Sequence, residues 1–202
     1  MKLVKLFAPL IVVTLLLSAC GDSSVTRQDV IDFIVDTIKA DEEAPEGLSD
    51  EGLAELQGCL IDEAKTRTAD SYETMLDEFK KAAEDDSYET RYEDIGDEFF
   101  SGCLADSREA LEVSINAFFP GDIQVDLSGV DNFQREALAE MISFSIGMFM
   151  PFELPDDFGY CVADYVVEDT GDTHRDILID LLNEGSTYDS IMEEAAEACL
   201  DF

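Results

Sequence analysis

Four cysteines spread along the chain, Cys59, Cys103, Cys161 and Cys199, constrain the fold more than any other feature. Their surroundings resemble one another: Gly58-Cys59-Leu60-Ile61-Asp62, Gly102-Cys103-Leu104-Ala105-Asp106 and Tyr160-Cys161-Val162-Ala163-Asp164. Ala198-Cys199-Leu200-Asp201 is a partial fourth copy, with its Asp one place early. The fifth cysteine, Cys20, stands apart near the N-terminus, and if the chain is exported the even set of four that remains favours two disulfides. Zinc is the competing use, but Cys-x₂-Cys spacing is absent and His174 is the single histidine, so no metal site is assigned.

Each cysteine falls on an apolar stripe with helical spacing. Thr26 to Asp29 reads as a capping box ahead of Val30, Ile31, Ile34, Val35 and Ile38. Ser49 caps a second helix carrying Leu53, Leu56, Cys59 and Leu60. Asp70-Ser71-Tyr72-Glu73 opens a third, with Tyr72, Met75, Leu76 and Phe79 inward. Asp86-Ser87-Tyr88-Glu89 opens a fourth through Tyr92, Ile95, Phe99 and Cys103. The pentapeptide Asp-Ser-Tyr-Glu-Thr thus stands at both 70–74 and 86–90, as a reused helix start. From Glu112 to Asp131 the pattern changes: Ile123, Val125 and Leu127 alternate with polar residues and Pro120-Gly121 marks a turn. This predicts a linker with local extended structure in preference to a short hairpin.

Beyond it the four-helix pattern recurs. Asn132 caps a helix from Gln134 to about Met150, and Asp156 one with Phe158, Cys161, Val162, Tyr165 and Val166. Thr173 caps a third, with Ile177, Leu178, Leu181 and Leu182. Ser186 to Asp189 is a capping box for the last, through Ile191, Met192, Ala195 and Cys199. The expected fold is all-α: two tandem repeats of about four helices, 26–111 and 132–202, joined by the linker 112–131. The cysteines fall on the second and fourth helices of each half, which favours Cys59–Cys103 and Cys161–Cys199 over pairing across the halves.

The chain carries 48 acidic residues against 12 basic ones, a formal charge of −36. Such a surface repels nucleic acid and anionic headgroups. Acidic chains are often disordered, but 46% of this one is hydrophobic and ordered into stripes, so it folds. A solvated shell suited to salty surroundings is favoured over divalent-cation binding. No D-x-[DN]-x-[DN]-G loop occurs; the nearest approximation, Asp122 through Asp126, Ser128 and Asp131, has the wrong spacing.

The N-terminus gives the location. Lys2 and Lys5 precede an apolar run from Leu6 to Leu17, too short to span a bilayer comfortably. Leu17-Ser18-Ala19-Cys20 closes it and resembles the lipobox of bacterial lipoproteins. The resemblance implies a signal peptide over 1–19, cleavage before Cys20, thioether lipidation of its sulfur, acylation of its amino group, and a tether over 20–25. Two or three acyl chains at ~0.8 kcal/mol per buried CH₂ make a durable anchor. The protein is then held by lipid on Cys20 at the extracytoplasmic face of a cell membrane. Gly21 follows the cysteine and Asp22 comes after it, which leaves inner and outer membrane both open. The repeated Cys-[Leu/Val]-x-Asp helices also resemble those of small exported actinobacterial proteins, a resemblance that assigns no functional residue.

Chemistry is harder to read. His174 is expected on the first turn of a charged, exposed helix, and no glycine-rich phosphate loop occurs. Carboxylate pairs are too many for one to be singled out, so no catalytic residue and no cofactor is assigned. Met141 to Phe152, rich in Met and Phe, fits either a helix buried on every side or an adaptable lining for an apolar ligand. The expected function is non-catalytic: binding or surface presentation, with an unknown protein partner left open and no oligomeric state assigned. A carrier of an apolar ligand or of Ca²⁺ is the alternative, and a hydrolase ranks below it.

Overall fold

The computed structural model describes residues 24–40, 45, 47–85, 87–118, 124–148, 150 and 153–200. Among these the chain is all-helical: α1 (Arg27–Ala40), α2 (Asp50–Thr68), α3 (Tyr72–Glu84), α4 (Glu93–Asp106), α5 (Arg108–Phe118), α6 (Phe133–Gly147), α7 (Phe158–Thr170), α8 (His174–Leu182) and α9 (Asp189–Leu200). The chain divides into two compact units, with the division after Cys103, inside α4.

In the first unit α1 packs across α2 and α3. Its stripe of Val30, Ile31, Ile34, Val35 and Ile38 meets Leu53, Ile61, Ala64, Met75 and Leu76, with Tyr92 closing the cluster. Thr26 and Asp29 form the expected box: the Thr26 amide donates to Asp29 Oδ2 at 2.7 Å, and the Asp29 amide to Thr26 Oγ1 at 3.3 Å. Ser49 and Ser71 accept from Gly52 and Thr74 N–H, both at 3.1 Å.

The second unit is built around α7, which packs on α6, α8 and α9. Phe158, Val162, Ala163 and Val166 meet Leu138, Ile142, Ile177, Tyr188 and Ala195. Gly159 lets α7 approach α6: a Cβ there would overlap the Ala139 carbonyl and Ser143 Oγ. Thr173 and Asp176 make a complete capping box for α8.

Three helix starts differ from expectation. The second Asp-Ser-Tyr-Glu-Thr does not open α4, which begins at Glu93. Instead Asp85 Oδ1 accepts from the amide and hydroxyl of Ser87, at 3.0 and 2.6 Å, and Tyr88 reaches back to Glu78 Oε2 at 2.7 Å. Asp189 is the first residue of α9 rather than the closing member of a box. Thr187 ahead of it is engaged by Asp180, its amide donating at 3.2 Å and its hydroxyl at 2.7 Å. The residue before α7 is Asp157, without a side-chain cap bond, where Asp156 was expected.

The helix that the spacing did not predict is α5, which runs from the end of the expected first repeat into the stretch read as changing character. Leu111 and Ile115 are buried, with the alternating segment laid beside them. Asn116 holds that segment as a strand would. It accepts from the Val125 amide at 2.7 Å and donates to the Val125 carbonyl at 2.9 Å. Glu112 Oε2 takes the Leu127 amide at 2.8 Å, so side chains of α5 hold the backbone at Val125 and Leu127, and both residues are buried.

Cys59 is bonded to Cys103 and Cys161 to Cys199, tying α2 to α4 and α7 to α9. The closed loops span 44 and 38 residues. Chain entropy then assigns each bridge about 4 kcal/mol. Urea unfolding with each bridge removed by a double Cys→Ala substitution should show a loss of about that size, and a loss below about 1 kcal/mol would mean the bridges close already-ordered loops.

Candidate functional site

The aspartates of the Cys-x-x-Asp repeats converge on arginines. Arg27 Nε and Nη2 donate to the two oxygens of Asp62 at 2.8 and 2.9 Å. Arg135 grips Asp164 at 2.7 and 2.6 Å, and Arg175 grips Asp106 at 2.6 and 2.7 Å. Asp62, Asp106 and Asp164 each follow a disulfide cysteine by three residues, which puts bridge and fork on one side of a helix. Each arginine stands in the first turn of its helix, α1, α6 or α8. A cation there opposes the helix dipole, so the distant carboxylate, not local preference, accounts for its place. Gly58 gives Arg27 room: a Cβ at 58 would overlap its Nη2.

Around Asp164 these contacts become a network. His174 Nε2 lies 3.0 Å from Asp164 Oδ1 and the histidine side chain is only 18% exposed, so it is an engaged group rather than the exposed one expected. The guanidinium of Arg135, and secondarily His174, holds the Asp164 carboxyl below the usual range. Arg135 also covers the ring of Tyr160, 4.7 Å from its centroid, and the Tyr160 hydroxyl donates to Glu136. That hydrogen bond, with burial, pushes the phenol up to about 12.

Tyrosines serve the carboxylates elsewhere too. Tyr92 donates to Asp70 at 2.9 Å, Tyr188 to Asp172 at 3.0 Å and Tyr165 to Glu194 at 3.3 Å. With Tyr88 and Tyr160, five of the six tyrosines donate to an acid. The sixth, Tyr72, lies under Lys65, whose Nζ is 4.0 Å from the ring centroid.

Matching connections recur in the two units. Thr68 and Thr170 bond back to the carbonyls of Ala64 and Val166 and take the amides of Asp70 and Asp172. Ala69 and Gly171 are both left-handed, at φ 56° and 78°. The tyrosine bonded to each of those aspartates, Tyr92 or Tyr188, stands just before the helix that carries the second cysteine. No family model, curated protein or solved structure matches the chain.

Of the residues singled out from the sequence, the four cysteines are brought together in pairs, whereas Cys20 and Asp122 lie outside the described residues. Asp126 closes a local turn, Oδ1 accepting the Ser128 amide at 2.8 Å. Among the described residues no three Asp, Glu, His or Cys side chains are placed to hold one metal ion. The Met- and Phe-rich helix is not buried on every side. It ends at Gly147; Ala137, Leu138, Ala139 and Ile142 face the core while Met148 is 60% exposed. Beside its end lies an open groove of about 600 Å³, lined by Glu140, Ser143, Gly147, Met150, Glu153, Leu154, Pro155 and Asp156. The stretch Met141 to Phe152, read from the sequence as a possible apolar lining, supplies Ser143, Gly147 and Met150 to this groove, whereas nothing in the sequence marked Glu140 or the loop from Glu153 to Asp156.

Two outcomes follow. Gly159→Ala should cost about 1–3 kcal/mol, since the new methyl meets backbone. Gly58→Ala should be near neutral in denaturant unfolding: it displaces an exposed fork worth at most about 1 kcal/mol, while alanine regains about as much helix propensity. Asp164 sets a pH dependence. Its folded pKa is depressed, so its contribution is present at neutral pH and is lost as pH falls below the ordinary aspartate range, near 4. In Arg135→Gln, carboxyl NMR should show Asp164 titrating higher, and the gap in stability from wild type should close on acidification through that range. A gap that persists at pH 2 would assign the loss to packing.

Proposed function

We propose that this is a lipid-anchored extracytoplasmic protein that acts by binding or by presenting a surface, without catalysis. The observation that carries the proposal is the fate of the cysteines. The chain has five, and four are consumed in two disulfides. The one left over is Cys20, which follows Leu17-Ser18-Ala19 at the end of an apolar run. An odd cysteine in an exported chain needs a use of its own, and lipidation supplies it. The disulfides themselves favour an oxidising compartment.

A non-catalytic role is supported by how the reactive groups are spent. The single histidine is committed to Asp164, four cysteines to bridges and three arginines to forks. The recurring bridge, fork and tyrosine bond support a duplicated helical body carried on a short tether. Its acidic surface favours a basic or neutral partner over nucleic acid or anionic lipid. A small-ligand carrier is the second reading, and the groove beside α6 is what favours it.

Labelling a bacterial host with an alkyne analogue of palmitate tests the anchor. The wild-type chain should take the label and sediment with membranes, and Cys20→Ala should do neither. An unlabelled wild type, or a Cys20→Ala chain still labelled, would overturn the proposal.

A further inference from the structure

Within the second unit, the groove beside the end of α6 combines two features found together nowhere else among the described cavities. Its lining is mixed: Met150, Leu154 and Pro155 offer apolar surface beside the acids Glu140, Glu153 and Asp156. With about 600 Å³ of open space, it offers a surface for an extended ligand to lie along rather than a pocket that encloses one. The other described cavity, enclosed by Ile34, Gln57, Leu60, Phe79 and Tyr92, holds about 20 Å³, room for one water.

Glu140 distinguishes the groove from the general acidity. Six other carboxyls with displaced titration, such as Asp126 and Asp164, move down because hydroxyls, amides or cations hold their charge. Glu140 moves up, because burial and then the neighbouring Glu136 disfavour its charge. It is a half-buried carboxylate facing a space that an incoming cation can enter. A compact metal ion needs several ligands on one centre, and these carboxylates are not so placed. A cation on an aliphatic stem, with charge and apolar surface on one molecule, matches both carboxylates that do not converge on one centre and the apolar lining.

We propose that this groove binds an aliphatic diamine or polyamine, one ammonium group meeting Glu140 and the methylene chain lying on Met150, Leu154 and Pro155. The proposal goes beyond the anchoring reading and stands whether or not Cys20 is lipidated. The test is calorimetric titration of the full chain, in non-ionic detergent and moderate salt, with 1,5-diaminopentane. Wild type and Asp36→Asn, an exposed acid on α1, should bind with one-to-one saturation. Glu140→Gln should weaken binding by about tenfold or more, the scale of one lost charged hydrogen bond. It should fold at least as well as wild type, since it removes a disfavoured charge. Gly147→Leu should abolish binding by filling the groove while leaving every carboxylate in place. Absence of saturable binding by wild type would overturn the proposal. So would equal binding by all four chains, the sign of a diffuse counter-ion atmosphere, or binding retained in Gly147→Leu.

Discussion

Both units fold against their own charge, and the bridge-and-fork pair is what each rests on. With 48 acids to 12 bases, pulling helices together concentrates like charge. Hydrophobic burial of about 25 cal/mol per Å² supplies the gross attraction but has no direction. A disulfide acts differently, since it limits the unfolded chain and is indifferent to charge. In the first unit it ties α2 to α4 and in the second α7 to α9, and an arginine fork joins the helix surface one turn along. The covalent bond contributes kilocalories where the exposed fork contributes tenths. The fork's use is register: a bidentate guanidinium accepts one rotation of a helix and not its neighbours.

Scarcity of cations explains where they stand. Arg27, Arg135 and Arg175 occupy first helical turns, where the dipole disfavours them, and each spans a long separation of 35, 29 or 69 residues to its aspartate. Local sequence marks the aspartate, because Cys-x-x-Asp repeats visibly. It does not mark the arginine, because nothing within a helical turn of Arg175 points to Asp106. The cysteine pairing was legible for the opposite reason, as it followed from helix count and order alone.

The same contrast runs through the helices. Stripes such as Val30, Ile31, Ile34, Val35 and Ile38 read correctly because burial and period agree. Asp-Ser-Tyr-Glu-Thr reads the same at 70–74 and 86–90 and does two things. At the first site Ser71 caps α3; at the second Asp85 captures Ser87 and Glu78 captures Tyr88, so the chain turns for several residues before α4. A cap is a local offer, and a tertiary hydrogen bond outbids it. The helix α5 escaped for a related reason. Val125 and Leu127 alternate like a strand, but their partners are side chains of α5, Asn116 for Val125 and Glu112 for Leu127.

Tyrosine is the remaining answer to the shortage of positive charge. A phenol donates one strong hydrogen bond to a carboxylate without bringing a charge of its own, and its ring buries apolar area at the same time. Five of the six tyrosines are used this way, two of them at matching places, Tyr92 on Asp70 and Tyr188 on Asp172. Burial first and the carboxylate second push both of those phenols up to about 12, so the donor keeps its proton far above neutral pH. A lysine in that place would neutralise more charge but would pay to desolvate its ammonium beside the core. The neutral donor avoids that cost. At Asp70 the two kinds of donor meet on one oxygen: the phenol of Tyr92 reaches Oδ2 from the buried side, and the half-exposed guanidinium of Arg91 lies 3.2 Å from it where water still reaches the charge.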